Sequence, residues 1–292
     1  MDLLQSVVLG VVQGITEFLP VSSTAHLILV PWFMNWRDPG LTYDVVLQGG
    51  TFLAVIWYFW TDIRNMLWAW IRSLSKPDLA NDPDQRLAWL VILGSVPAGV
   101  AGVLLEKHIE TTFRSPYVIA ATLIGVGLLL ALAEVVARHQ RELKGLRWLD
   151  ALVIGIGQAC ALIPGTSRSG ATMTAAMFMG FSRTAAARFS FLLGIPIIFA
   201  STLFKVKHYV DDFGLNHPGR SLADHLLQSP NTVPFVVGTV VSTVVGYLSI
   251  RFLLAYLQRG TMWLFIGYRL VLGALILVML LTNRLPATMH VG

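Results

Sequence analysis

The chain is poor in cysteine and in charged residues. Its 292 residues include one cysteine, Cys160, which excludes an intramolecular disulfide and any metal site built from several thiolates. Asp, Glu, Lys and Arg together make up 13% of the chain, whereas about a quarter is usual in soluble domains. The net charge of +5 is modest, so no nucleic-acid partner is expected. These scarcities argue against a soluble enzyme.

Long apolar stretches take the place of the missing charges. Hydrophobic residues make up 55% of the sequence, and a stretch of about 20 such residues is long enough to cross a bilayer. Six stretches of about this length run over 41–60, 87–105, 117–137, 185–204, 235–257 and 262–282. The sequence therefore predicts an all-α polytopic membrane protein, with one membrane domain over residues 1–292 and the phospholipid bilayer as its surroundings.

Two further apolar segments are interrupted by polar motifs that repeat along the chain. The halves 3–18 and 22–34, and likewise 149–163 and 171–180, are short for a crossing. Three pairs of residues are separated by the same 145 positions: Gly10 and Gly155, Gln13 and Gln158, and Ser22 and Ser167. Because irregular backbone at membrane depth is tolerated only where it lines a cavity or is buried in protein, each interrupted segment is predicted to be a re-entrant helical hairpin facing a site.

The distribution of Lys and Arg predicts the orientation. A bias of twelve to seven places 61–86 and 138–148 in the cytoplasm, with 205–234 as an extracytoplasmic loop. The halves 1–137 and 149–285 then run in opposite directions. The predicted fold is an inverted-topology repeat of six transmembrane helices plus two opposed re-entrant hairpins, whose tips meet near the midplane. The alternative is eight ordinary kinked helices with polar packing residues.

The first motif combines acidic, amide, hydroxyl and imidazole groups. Its candidate site residues are Gln13, Glu17, Ser22, Ser23, Thr24 and His26. A carboxylate such as Glu17 is expensive inside an apolar segment and usually functional. Pro20 breaks the helix, so Ser22 and Ser23 can begin a new one with their hydroxyls and N–H groups pointing into the break. The alternative is a plain helix cap, with Glu17 and His26 paired for structure.

The second motif is typical of an oxyanion or phosphate site. Its candidate binding residues are Gly165, Thr166, Ser167, Arg168, Ser169, Gly170 and Thr172. Consecutive N–H groups at a helix start bind anions, and the planar fork of Arg168 suits phosphate oxygens. The alternative is an Arg168 that pairs with Glu17 for structure alone.

Two other polar residues lie within predicted spans. Gln48 either lines the same cavity or bonds a neighbouring helix. Arg269 either serves phosphate or neutralises Glu17.

The long motifs at 17–26 and 164–172 closely resemble those of the undecaprenyl-diphosphate phosphatase family, also called bacitracin-resistance proteins. The resemblance covers nearly the whole chain and extends to Gln48, to 189–193 and to Tyr268-Arg269. It implies hydrolysis of a C55 isoprenyl diphosphate to the monophosphate and inorganic phosphate, which recycles the lipid carrier of cell-wall synthesis and confers bacitracin resistance. It also implies a bacterial plasma (inner) membrane, an active site open to the periplasmic side, and a divalent cation, Mg²⁺ or Ca²⁺. A homodimer is left open.

The residues and the resemblance together suggest roles. Arg168 and the second motif are expected to hold the diphosphate. Glu17, with Gln13, is expected to bind the metal or to orient water; Gln13 is an allowed family variant that leaves one carboxylate in the pair. His26 is expected to act as general acid or base, and Ser23 as a nucleophile activated by His26 or as a phosphate ligand.

Two rival functions remain at this point. Inverted repeats and broken helices are also typical of transporters, so a transporter or flippase for an anionic lipid is the main alternative. A structural scaffold would leave Glu17, His26 and Arg168 unexplained.

Overall fold

The computed structural model describes residues 2–36, 41–111, 115–216 and 232–282. These residues form eleven α-helices and no strand: α1 Leu3–Thr16, α2 Ser23–Phe33, α3 Leu41–Tyr58, α4 Trp60–Ser73, α5 Pro83–Thr111, α6 Pro116–Val136, α7 Trp148–Cys160, α8 Arg168–Phe178, α9 Arg183–Asn216, α10 Thr232–Tyr256 and α11 Trp263–Leu281. The predicted all-α class is confirmed.

Within the described parts of the chain, five helices are long and apolar enough to cross a membrane: Pro83–Leu105 of α5, α6, Arg183–Phe204 of α9, α10 and α11. They confirm a polytopic membrane protein. The sixth predicted span corresponds to the 18-residue α3, and the full count of six stays a prediction.

The two interruptions lie where the sequence predicts them. Helices α1 and α2 have 14 and 11 residues, and α7 and α8 have 13 and 11. The second helix of each pair begins directly after a serine with positive φ, which is 76° at Ser22 and 70° at Ser167. Positive φ is uncommon for a residue with a side chain. The same strained turn therefore ends both interruptions, at positions 145 apart.

Helices from one half of the chain pack on helices from the other half. Helix α1 packs on α10, and α7 packs on α5, so each short pair lies against a long helix of the other half. Helices α6 and α11 pack on each other, as do α3 and α9. The rings of Phe18 and Phe191 meet edge to face at 5.5 Å in the core between the halves. Such intertwining is what a pair of inverted repeats would produce, and the inverted topology itself stays a prediction.

The structure differs from the sequence prediction at two segments expected to be loops. The segment 61–86 contains most of α4. This helix is amphipathic: its charged residues Arg64 and Arg72 are interspersed with apolar ones, and Trp68 is exposed on its surface. In 205–234, α9 continues to Asn216 and α10 starts at Thr232, while 217–231 lies outside the described residues. Lysines end the apolar run at 205, but 197–213 contains no Pro or Gly to stop the helix.

Ion pairs fasten the end of the molecule that is predicted to be cytoplasmic. Glu134 accepts from Arg183 at 2.6 Å between α6 and α9, and Asp150 on α7 pairs with Arg141. Both carboxylates have side chains only 3% exposed. Removing one partner of a buried pair typically costs about 3–5 kcal/mol, so these pairs hold α6 to α9 and α7 to the segment that precedes it.

Candidate active site

The two interruptions contact each other. We call residues 17–22, between α1 and α2, the first break, and residues 161–167, between α7 and α8, the second break. Ser169 Oγ, just after the second break, donates to Leu19 O at 3.1 Å. Arg168 Nη2 lies 3.4 Å from Glu17 Oε1. The two sequence motifs therefore build one site, although they are about 150 residues apart.

Glu17 lies at the centre of this site. Its Oε2 accepts a hydrogen bond from Ser23 Oγ at 2.7 Å and one from Gln13 Nε2 at 3.3 Å, while its Oε1 faces Arg168. The side chains of Glu17 and Arg168 are 9% and 13% exposed. A carboxylate so placed can accept a proton from Ser23 while Arg168 attracts an anion beside it.

Ser23 and His26 have separate partners. His26 Nδ1 lies 2.7 Å from Ser22 O, so Nδ1 carries hydrogen and donates to that carbonyl. His26 Nε2 then accepts from Tyr268 Oη at 2.5 Å. Both ring nitrogens are occupied, and the hydroxyl of Ser23 is bonded to Glu17 instead. The geometry therefore pairs the candidate nucleophile with Glu17.

Arg168 is held by α9 as well as by Glu17. Its Nη1 donates to Ser190 O at 3.1 Å, and its Nε is buried with no hydrogen-bond partner among the described atoms. Glu17 therefore contacts Nη2 alone, and no carboxylate of the described residues binds Nε and Nη2 together. A guanidinium with unused donors in a nearly buried position is suited to a phosphate group.

The hydroxyl groups of the second motif have internal partners. Ser167 Oγ accepts from Gly170 N at 3.1 Å and caps α8, and Thr172 Oγ1 donates to Arg168 O at 2.7 Å. Ser169 and Thr172 are fully buried. These hydroxyls stabilise the break, and the amides of Arg168 and Ser169 are left as the first-turn donors that α8 itself does not use.

The second break also needs a glycine. Gly165 has φ of 85°, and a Cβ there would lie 2.2 Å from Thr122 Oγ1. That hydroxyl donates to Pro164 O at 2.7 Å. Both the backbone conformation and the close approach of α6 exclude a side chain at this position.

Arg269 is fully buried and joins both breaks. Its guanidinium donates, at 3.0–3.3 Å, to five carbonyl oxygens: those of Pro20, Thr122, Leu123, Gly165 and Thr166. None of these partners is Glu17. The structure therefore makes Arg269 a clamp on the backbone of the site, a role that neither sequence alternative described.

The remaining candidates lie at the edge of the site. Gln13 Nε2 reaches Thr51 Oγ1 at 3.4 Å, and Thr51 in turn donates to Gln48 O, so Gln48 is linked to the site through its backbone. Thr24 is exposed at the start of α2.

Three residues with direct roles in this geometry were not assigned from the sequence: Thr51, Ser190 and Tyr268. The signal for Thr51 was a hydroxyl one turn after Gln48 in an apolar helix. Ser190 and Tyr268 lie in segments that resemble the family, but nothing in the sequence paired them with Arg168 or His26.

A divalent cation would find few protein ligands here. Among the described residues, no three His, Cys, Asp or Glu side chains form a metal cluster. Gln13 Oε1, however, is buried near Glu17 with no hydrogen-bond partner among the residues that the structure describes. One carboxylate and one amide oxygen fit a hard cation such as Mg²⁺, which keeps several waters and binds substrate phosphates.

The chain matches the family model described as "Bacitracin resistance protein BacA" over residues 6–275. The chain belongs to the BacA family. It is 46% identical over 284 residues to an undecaprenyl-diphosphatase of Moorella thermoacetica, which covers 97% of this chain and 100% of that protein. It is 47% identical over 282 residues to undecaprenyl-diphosphatase 2 of Stutzerimonas stutzeri, with coverage of 96% and 98%, and 44% identical over 285 residues to an undecaprenyl-diphosphatase of Myxococcus xanthus, with coverage of 98% and 91%. The resemblance inferred from the two motifs is confirmed.

Proposed function

We propose that this BacA-family protein hydrolyses undecaprenyl diphosphate to undecaprenyl phosphate and inorganic phosphate. The reaction returns the lipid carrier to cell-wall synthesis, and it accounts for bacitracin resistance. Family membership and the full-length relatives support the reaction. The observation that carries the mechanism is the contact of Ser23, Glu17 and Arg168 inside an apolar helical protein.

Arg168 and the start of α8 bind the diphosphate. The first-turn amides of a helix and its dipole favour an anion, and the guanidinium adds charge-assisted hydrogen bonds. Because Arg168 is nearly buried, its charge acts in a low dielectric and stabilises the developing charge of the transition state. The isoprenyl tail extends from this site along the apolar surface of the helices.

Ser23 attacks the terminal phosphorus of the diphosphate. As the bond from Ser23 Oγ to phosphorus forms, Glu17 Oε2 takes the hydroxyl proton across the 2.7 Å hydrogen bond. The bond from phosphorus to the bridging oxygen breaks, and its electron pair leaves with undecaprenyl phosphate. A water molecule then attacks phosphorus, the bond from phosphorus to Ser23 Oγ breaks, and Glu17 returns its proton to that oxygen. Inorganic phosphate departs with the oxygen and both hydrogens of the water.

His26 supports this chemistry through the backbone and through Tyr268. Its Nδ1–H holds Ser22 O, directly before the nucleophile. Its Nε2 is bonded to the Tyr268 hydroxyl, so any proton that His26 exchanges at Nε2 must pass this hydroxyl. An acid–base role for His26 therefore includes Tyr268.

The divalent cation implied by the family would be held by Glu17 and Gln13 Oε1 together with substrate phosphate oxygens. When bound it would neutralise phosphate charge. The orphaned amide oxygen of Gln13 supports this assignment.

The protein acts in the bacterial plasma membrane, with the site open to the extracytoplasmic side. The five long apolar helices support a multi-pass location, and the excess of Lys and Arg in 61–86 and 138–148 supports the orientation.

Phosphate release from undecaprenyl diphosphate in detergent, with no ion gradient, tests the proposed reaction. We expect turnover by the wild type and a loss of at least about 10³-fold for Glu17→Gln, which keeps the shape but cannot take the proton. Asp62→Asn is the matched control, because its half-exposed partner Arg188 lies outside the site. Wild-type protein that binds the lipid without releasing phosphate would instead indicate a transporter or flippase.

A further inference from the structure

The guanidinium of Arg168 lies against a single turn of α9. Ser190 O at the start of this turn accepts from Arg168 Nη1 at 3.1 Å. At the end of the turn is Gly194, where an added Cβ would lie 2.0 Å from Arg168 Nη1 and 2.6 Å from its Cζ. Carbon and nitrogen atoms that are not bonded to each other do not approach to these distances. Any side chain at 194 would therefore occupy the place of the guanidinium.

The same turn also fixes the helix that carries Arg168. Ser190 Oγ lies 2.6 Å from Thr172 Oγ1, and Thr172 Oγ1 donates back to Arg168 O. Ser190 and Thr172 are both fully buried. The turn 190–194 thus holds Arg168 twice, once by its side chain and once through the backbone of α8.

We infer that Gly194 is a positioning residue for the phosphatase reaction: the missing side chain at 194 lets Arg168 lie beside Glu17, whose carboxylate accepts a hydrogen bond from Ser23. The inference rests on the phosphate-binding role proposed for Arg168. With a side chain at 194, the guanidinium would have to leave Ser190 O, and the phosphate would lose its cationic partner at the correct distance from the nucleophile.

The effect of a side chain at 194 falls on Arg168 rather than on the fold. The atoms that an alanine Cβ would displace are at the end of a long, flexible side chain. Position 194 lies inside a continuous helix, and Gly194 is not among the residues with positive φ. Alanine is the better helix former, so Gly194→Ala should lower the unfolding temperature no more than Arg168→Gln, which gives up the same contacts to Glu17 and Ser190.

A double-mutant cycle with Arg168→Gln separates positioning from general packing. Glutamine ends near the place of Arg168 Nε, which is 3.3 Å from the added Cβ, so in this background Gly194→Ala has little left to displace. Gly99→Ala on α5 is the matched control, since a Cβ there meets no atom within 4 Å. The readouts are kcat/KM, the unfolding temperature, and the affinity for a methylene-bridged, non-hydrolysable prenyl diphosphate analogue, which needs no turnover.

We expect Gly194→Ala to lower kcat/KM and analogue affinity by at least about tenfold, with an unfolding temperature no lower than that of Arg168→Gln. In the Arg168→Gln background the same change should alter affinity by less than about threefold, because coupled residues are non-additive. Gly99→Ala should match the wild type.

The possible failures are distinct. If Arg168→Gln leaves analogue affinity unchanged, the phosphate-binding role of Arg168 is wrong. If Arg168→Gln weakens binding but Gly194→Ala does not, or if Gly194→Ala weakens it equally in both backgrounds, the positioning role of Gly194 is overturned.

Discussion

At the scale of single residues, the carboxylate of Glu17 accepts the hydrogen bond from Ser23 that the sequence suggested for His26. One interpretation of the sequence made His26 the partner that activates Ser23, because the two are three positions apart on one helix, and the other made Ser23 a phosphate ligand. In the structure, His26 Nδ1 bonds to Ser22 O in its own first turn, which directs Nε2 to Tyr268. The hydroxyl of Ser23 therefore donates its hydrogen bond to Glu17. A local backbone bond and a partner 242 positions away decide the outcome, and neither is visible in the motif.

Gln13 is the proposed second protein ligand of the divalent cation, beside Glu17. Gln13→Glu would place a second carboxylate beside Glu17, and hard cations bind more tightly as carboxylate ligands are added. We expect the Mg²⁺ concentration for half-maximal phosphate release to fall by several-fold in Gln13→Glu and to rise in Gln13→Leu. A Mg²⁺ titration of chelator-treated protein measures both. If the two variants needed the same Mg²⁺ concentration, Gln13 would not be a ligand.

At the scale of elements, the breaks are held together by backbone carbonyls bound to one arginine. Arg269 on α11 joins the first break, the second break and α6 through five carbonyl oxygens. Arginine suits this place because its fork offers five N–H donors in fixed directions. The two breaks are therefore fixed by α11, a helix that belongs to neither short helix pair.

Replacing this arginine should loosen the site. Arg269→Gln leaves several buried carbonyls without donors, each at a cost of about 1–3 kcal/mol, so we expect a lower unfolding temperature in detergent together with a large loss of kcat. Arg251→Gln on α10 is the control, since Arg251 is exposed. Thermal unfolding and phosphate release measured on the same samples make the check. Normal stability and turnover in Arg269→Gln would show that the clamp is dispensable.

The positions of the two breaks could be predicted from the sequence. Pro20 and the hydroxyl-rich motifs indicated the positions of both breaks, because proline and capping residues act locally. The match of positions 145 apart indicated that the two breaks belong to one site. Long-range partners were not predictable: Arg269 was expected to serve phosphate or to neutralise Glu17, and Ser190 and Gly194 were not assigned, since their roles depend on which helices pack together. Helix α4 was not predicted, because its charged residues interrupt the apolar run by which a membrane span is identified.

At the scale of the whole molecule, the exchange of helices between the two halves explains how two distant motifs form one pocket. Each short helix pair lies against a long helix of the other half. With the predicted inverted topology, the first hairpin would enter from outside and the second from the cytoplasm. The site would then be closed by protein from both directions, apart from the path by which the lipid enters.

Cysteine labelling tests this topology, since Cys160 is the chain's one native thiol. In a Cys160→Ser background, Met34→Cys and Gln140→Cys place exposed thiols beside the first and second hairpins. We expect a membrane-impermeant maleimide to label Met34→Cys in intact cells and Gln140→Cys only after lysis. Labelling of both positions from the same side would refute the inverted repeat.

Trapping the phosphorylated enzyme tests nucleophilic attack by Ser23 most directly. Undecaprenyl diphosphate with a radiolabelled terminal phosphate is mixed with the protein and quenched within one turnover. We expect acid-stable label on Ser23 in the wild type and none in Ser23→Ala, with Ser22→Ala as the neighbouring control that still becomes labelled. Rapid turnover with no label on the wild-type protein at any quench time would contradict attack by Ser23 and would assign Glu17 to the direct activation of water.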